Sequence, residues 1–224
     1  MIKNKTGWLT KKLDKLDYSR GEIPRDYIGA SSIGADCMRQ IWYEFKGKKS
    51  NPKDIAPKLH RTWNIGRNLE SLIVEWLTKA GVKLIVPHET NHYLEFFDAE
   101  YPYLRGHCDA ILIKPKAILE IKTAKDSSFK VLVKRGVYDW DQKYYSQIQS
   151  YMGMSGIKKT YVLALNKDTS NFYDEQISFD EHYYKSLQQK AFMIHEASEP
   201  PPKVNDSPLW FQCRMCKFSG SCHS

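Results

Sequence analysis

Residues 106–125, GHCDAILIKPKAILEIKTAK, carry two carboxylates and an amine at a spacing that a β-hairpin would turn into a site. In an antiparallel hairpin opposed residues share a constant index sum, so a turn closing between Ile113 and Lys116 sets Asp109 opposite Glu120. Opposed Cβ atoms lie roughly 4.5–5.5 Å apart, close enough for both carboxylates to bind one divalent cation. Strand alternation sends Glu120 and Lys122 to one face and Ile121 to the other, into the core. Pro115 in the second loop position does not suit a type I′ turn, which leaves room for a one-residue slip or a longer loop. A solvated ion-pair ladder is the plain reading of such a triplet. Against it, two facing carboxylates repel, and a bound cation relieves that repulsion at neutral pH. Hard oxygen ligands favour Mg²⁺ or Mn²⁺, ions suited to phosphate chemistry.

A second constellation is made of thiols. The tail WFQCRMCKFSGSCHS holds Cys213, Cys216 and Cys222, and Cys37 lies far away near the start of the chain. A C-x-x-C pair reaches one metal centre from a tight turn, and the third thiol needs only a small loop carrying Gly220. Any metal held by all four would clip the two ends of the chain together and stabilise the fold by closing a very long loop. Residue types alone do not separate four-thiolate zinc from an iron–sulfur cluster, and zinc is the first expectation on that basis. Cys108, the fifth cysteine, alternates away from Asp109 and reads as a small core residue; His107 and His223 are minor candidates as ligands or phosphate contacts.

The elements that must position these groups follow from periodicity. A helix is predicted over 31–46, capped by Ser31 or Ser32 and carrying Cys37, Ile41, Trp42 and Phe45. A stripe of Ile65, Leu69, Leu72, Ile73, Trp76 and Leu77 predicts a helix over 63–80, stopped by Gly81. Strands are predicted at 83–87, 92–97, 106–113 and 117–123, as a small antiparallel sheet. Helices over 126–135 and 139–155, strands over 159–166 and 172–178, and a long helix over 180–197 before Pro200, Pro201 and Pro202 complete an α/β pattern.

Taken in chain order, Glu70, Asp109, Glu120, Lys122, Gln147 and Tyr151 resemble the motifs of the PD-(D/E)XK nuclease superfamily, in its RecB-like and lambda-exonuclease-like branch. Gly66-Arg67-Asn68-Leu69-Glu70 is similar to the helix that supplies a further acidic metal ligand there, although many RecB-like members have histidine in place of Glu70. Gln147 and Tyr151, in SQIQSYMG, resemble the Q-x-x-x-Y motif, two side chains on one helical face that Tyr144 extends. The one-plus-three cysteine spacing resembles that of iron–sulfur RecB-like nucleases, including AddB and the CRISPR-associated RecB-like exonucleases.

The resemblance implies a restriction-endonuclease-like core: a mixed central sheet flanked by helices, with N- and C-terminal pieces joined by a 4Fe–4S cluster on Cys37, Cys213, Cys216 and Cys222. The whole chain, 1–224, would be one nuclease domain. It divides into an N-terminal helical and basic part (1–62), a core (63–199) and a cysteine-rich tail (200–224). Asp109 and Glu120, helped by Glu70 and the Ile121 carbonyl, would bind Mg²⁺ or Mn²⁺. Lys122 would orient or deprotonate the attacking water, Gln147 would hold the water or Lys122, and Tyr151 would support its helix or touch a phosphate. The implied activity is hydrolysis of DNA, at ends or single-stranded regions, to 5′-phosphate products.

Composition agrees with an anionic substrate. The 224 residues include 34 Lys and Arg against 26 Asp and Glu, a net charge of +8, which favours nucleic acid as a partner. Between Lys46 and Arg61 the chain carries Lys46, Lys48, Lys49, Lys53, Lys58 and Arg61, a composition suited to tracking a phosphate backbone and equally to a solvated connection. Tyr43, Trp63, Trp140, Tyr144 and Tyr145 offer rings that could stack on bases or fill the core, and the pattern does not choose. No apolar run approaches the roughly 18–20 residues that span a bilayer, and the Lys-rich opening lacks a secretory apolar segment, so a cytoplasmic, non-membrane protein is expected. The competing classes are a non-catalytic nucleic-acid-binding module stapled by zinc and an iron–sulfur electron carrier.

Overall fold

The fold is built outward from one strand. In the computed structural model, which describes residues 7–15, 25–48, 57–86 and 94–224, β6 (Ala117–Ala124) pairs antiparallel with β5 (Ala110–Leu112) and parallel with β7 (Lys159–Asn166). Its sequence, AILEIKTA, is nearly continuous in apolar residues because both of its faces are covered. The connection from β6 to β7 runs through α5 (Asp126–Trp140) and α6 (Gln142–Ser155), the crossover that a parallel pair requires. With β2 (Leu84–Ile85) and β8 (Phe172–Ser178) at its edges, the sheet has the order β2-β5-β6-β7-β8 and is mixed.

A second sheet stands beside it. β4 (Leu104–Cys108) lies between β1 (Ile28–Gly29), parallel, and β3 (Leu94–Phe97), antiparallel. Three apolar clusters fill the layers. Ile118, Val162, Leu132 and Ile148 join the main sheet to α5 and α6. Ile73 of α4 (Pro57–Lys79) meets Leu119, Ile121 and Leu165 on the opposite face. Ile33, Ile41, Leu104 and Leu187 join α2 (Ala30–Ile33), α3 (Met38–Phe45) and α7 (Glu181–Glu196) to β4. The remaining helices are α1 (Trp8–Asp14), α8 (Phe211–Arg214) and α9 (Ser219–Cys222).

Four expectations are corrected. The helix over 31–46 is two: α2 ends at Gly34, and Cys37 is the N-cap of α3 rather than a helical residue. The helix over 63–80 begins at Pro57, a residue suited to a first turn, so the division at 62/63 falls inside α4. The strand over 106–113 is broken at Asp109, where the chain leaves one sheet for the other. The sheet is accordingly two sheets, the larger one mixed through its parallel β6–β7 pair. The strands at 159–166 and 172–178 stand as expected, and α7 starts at its Asp180 cap, whose side chain accepts from the Tyr183 N–H.

Helix α2 sits so close to α6 that a Cβ on Gly34 would lie 2.7 Å from Ser146 Cβ and 2.8 Å from the Lys143 Cα. Because part of that obstacle is backbone, Gly34→Ala is expected to cost about 1–3 kcal/mol, a drop in thermal midpoint of roughly 2–10 °C readable by circular dichroism; an unchanged midpoint would mean that the two helices do not meet this closely.

Candidate active site

Asp109 occupies the single position between β4 and β5. The β5–β6 register pairs Ala110 with Leu119, Ile111 with Ile118 and Leu112 with Ala117, so its continuation sets Asp109 opposite Glu120. The hairpin closes through a four-residue loop, 113–116, whose Lys114–Pro115 bond is cis, the isomer that fits proline at the third position of a turn. The longer loop thus keeps the register that a two-residue loop would have set. Leaving the ladder frees the Asp109 side chain to act as its substitute, and its Oδ2 accepts the Ile121 N–H at 2.6 Å.

On β6, Glu120 and Lys122 share a face as alternation demands. Lys122 Nζ donates to Glu120 Oε1 at 2.5 Å and to Gln147 Oε1 at 3.2 Å, and sits 4.6 Å from the Tyr144 ring centroid. Gln147 Nε2 donates to the Tyr151 hydroxyl at 2.7 Å, and that hydroxyl donates in turn to the His107 carbonyl at 2.5 Å. Glu120, Lys122, Gln147 and Tyr151 therefore form one chain of hydrogen bonds, which ties α6 to the strand just ahead of Asp109. Tyr151 is only 2% exposed.

The electrostatics are those of crowded acids. Burial and the Asp109 charge push the Glu120 carboxyl up to about 8, against the pull of Lys122. Burial also raises Asp109, while the nearby Lys122 charge and the hydrogen bond from the Ile121 N–H work the other way. Glu70, on α4, is raised by burial and then by Asp109. Burial opposes the Lys122 ammonium, yet Glu120 and Asp109 more than offset it and hold the amine protonated above the usual lysine range. Each acid feels another, so Glu70, Asp109 and Glu120 belong to one locality. Among the described residues the Glu120 Oε2 atom is buried with no hydrogen-bond partner, an arrangement that costs free energy unless something else meets it. As they stand, no group of three or more His, Cys, Asp or Glu side chains among the described residues is placed to hold a metal ion.

The other expected contacts are scattered. Lys46 lies over Phe45 at 5.1 Å and Lys48 over Tyr43 at 4.2 Å, both on the aromatic residues of α3. Arg61 pairs with Asp14 of α1 at 2.9 Å. Lys49 lies outside the described residues.

The four distant thiols do come together. Cys37, Cys213, Cys216 and Cys222 are all outside disulfides and line one pocket, with Tyr43 and Phe218 in its wall. Burial raises the Cys213 and Cys216 thiols, and the other cysteines raise them further. Cys108 is buried in the core as expected. Arg39 closes this assembly: Nε donates to the Pro201 carbonyl at 2.5 Å, Nη2 to the Pro200 carbonyl at 3.4 Å and Nη1 to Cys222 Sγ at 3.9 Å. Nothing in the sequence marks Arg39 beyond its place two residues after Cys37.

No known family profile matches the chain, and no curated protein matches it. Among solved structures the fold is similar to that of the protein titled SSO0001, at 20% identity and a TM-score of 0.57 over 97% of both chains. It is similar as well to an alkaline exonuclease (LHK-Exo) from Laribacter hongkongensis, at 12% identity and a TM-score of 0.57 over 77% of this chain and 87% of that one. A structure of LHK-Exo in complex with dAMP matches over the same shares with a TM-score of 0.58. The mixed α/β fold, with its sheets flanked by helices, is thus exonuclease-like.

Tyr151→Phe removes the hydroxyl that joins the Gln147 amide to the His107 carbonyl. It is expected to lower stability by about 1–3 kcal/mol, read as a lower urea midpoint at unchanged slope, and an unshifted midpoint would contradict the hydrogen-bond chain.

Proposed function

We propose that the chain is a metal-dependent deoxyribonuclease of the PD-(D/E)XK type, acting as an exonuclease on DNA ends or unpaired regions and leaving 5′-phosphate products. The observation that carries this reading is the buried, unpartnered Glu120 Oε2 within a group of raised carboxyls beside a protonated lysine. Acids driven together and left short of partners fit a divalent cation better than they fit each other. The likeness in fold to an exonuclease, one structure of which holds dAMP, supports DNA as the substrate.

The residues that would hold the ion are Asp109 and Glu120, with Glu70 and the Ile121 carbonyl. Mg²⁺ or Mn²⁺ bound there would polarise the scissile phosphate and stabilise the leaving oxygen. Lys122, which donates to Glu120 and Gln147, would orient or deprotonate the attacking water. Gln147 fixes the ammonium through its Oε1, and Tyr151 fixes Gln147.

The cysteine pocket is the proposed seat of a 4Fe–4S cluster. Four thiolates could hold zinc as well as a cluster, and the likeness of the cysteine spacing to iron–sulfur RecB-like nucleases favours the cluster. Anaerobically purified protein is expected to be brown with broad visible absorbance; colourless protein with stoichiometric zinc would sink the cluster and leave the nuclease standing.

Digestion of labelled linear and circular DNA with Mg²⁺, Mn²⁺ or excess chelator tests the activity. Metal-dependent shortening of linear DNA is expected, reduced at least about a hundred-fold by Asp109→Ala and by Lys122→Ala; undiminished cutting by well-folded variants would reject this centre.

A further inference from the structure

Of the five rings that the sequence leaves undecided between core and substrate, four are occupied. Tyr43 meets Phe218 at 5.4 Å between centroids, and Tyr145 sits between Tyr138 and Tyr183 at 4.8 and 5.0 Å. Trp140 donates to Ser128 Oγ at 2.8 Å and its ring meets Tyr144, which also carries the Lys122 ammonium. Trp63 on α4 is different. It is 44% exposed, and its ring contact is the edge-on one with His60 at 5.2 Å.

Trp63 shares a helical face with Gly66, Arg67 and Glu70, at the i, i+3, i+4 and i+7 spacing. The same face continues to Ile73, which is buried against Leu119 and Ile121 of β6. That face therefore looks toward the strands that present Asp109 and Glu120. Seven residues at about 1.5 Å each set Trp63 roughly 10 Å along the axis from Glu70.

Between them lies the residue that packing does not explain. Glycine is the poorest helix former after proline, and it persists inside helices where a neighbour leaves no room for a side chain. Gly153, inside α6, meets that description, since an added Cβ would run into the Tyr184 ring. Gly66 does not: among the described residues a Cβ there would meet Thr123 Oγ1 at 3.8 Å, an ordinary contact. An alanine would fit the folded chain and favour the helix. Among the described residues no side chain packs closely over Gly66.

We infer that this face of α4 is the track along which an unpaired nucleic-acid strand reaches the carboxylates, with a base stacked on Trp63 and the sugar–phosphate passing over Gly66. Arg67, exposed and held by the Asn64 side chain through its Nη2, supplies positive charge beside the track. Lys125, exposed two residues beyond Thr123, supplies it from the facing strand end. An aromatic platform flanked by cations is the arrangement that binds single strands with little regard to sequence. The inference rests on the nuclease reading and adds to it the surface that receives the strand.

The test uses the full chain. Binding of fluorescein-labelled oligo(dT) is read by anisotropy with chelator present, so that cleavage is off, and cleavage is then read with Mn²⁺. Trp63→Ala is expected to weaken binding roughly ten-fold or more, and Trp63→Phe, which keeps a ring, to stay within about three-fold. Gly66→Ala is expected to melt at or above the wild-type temperature while binding and cutting several-fold less well, a combination that a merely structural glycine would not give. Wild-type binding and cutting by both Trp63→Ala and Gly66→Ala, in a protein that does cut DNA, would overturn the track alone. A wild-type chain that neither binds nor cuts would overturn the nuclease reading and the track with it.

Discussion

The structure depends on holding two carboxyl groups where they would not go by themselves. Asp109 and Glu120 face each other because the β5–β6 register and the Ile121 N–H, bonded to Asp109 at 2.6 Å, leave them no alternative. Most of the main sheet serves that placement. β6 is buried on both faces, so its register against β7 is fixed by seven consecutive pairs, and a slip by one residue would send Glu120 and Lys122 into the core. The break at Asp109 follows from the same need. A residue kept in the ladder would point its side chain along the strict alternation of its strand, whereas one at the junction of two sheets can turn its carboxylate back toward β6.

Around this pair the chain supplies support from three directions. Helix α6 brings Gln147 and Tyr151, which locate the Lys122 ammonium and tie it to the strand ahead of Asp109. Helix α4 brings Glu70 from the opposite side of the sheet. The N- and C-terminal pieces meet away from these acids, joined by the Trp42 indole to the Ala197 carbonyl at 2.8 Å, by Gln212 to Asp36 at 2.6 Å and by Arg39 to the proline carbonyls and Cys222. The four thiols thus sit at the seam of the fold, and the acids sit in its sheet.

Much of this was legible in the sequence because it rested on strict periodicities. The index sum of the hairpin placed Asp109 against Glu120, and the four-residue spacing placed Gln147 against Tyr151. Strands β7 and β8 and helix α7 stand where alternation and helical stripes put them. What escaped depended on tertiary competition. Asp109 breaks a segment that reads as one strand because two sheets share it, which no local pattern encodes. The stripe over 63–80 reads as one apolar face, yet Trp63, Ile65 and Trp76 are exposed while Ile73 is buried against the sheet. Lys46 and Lys48, just beyond α3, lie over its rings while remaining exposed. Arg39 has no local signature because its partners are some 160 residues or more away in sequence.

The central claim is that the crowded acids exist to take up a divalent cation. Calorimetric titration of the chelator-treated protein with Mn²⁺ between pH 6 and 8 tests it most directly, because the ion must displace the proton that Glu120 retains up to about 8. Affinity is expected to climb with pH across that interval, by up to about ten-fold per unit for one displaced proton, and to vanish in Glu120→Gln. Binding that ignores pH, or that survives in Glu120→Gln, would contradict the account.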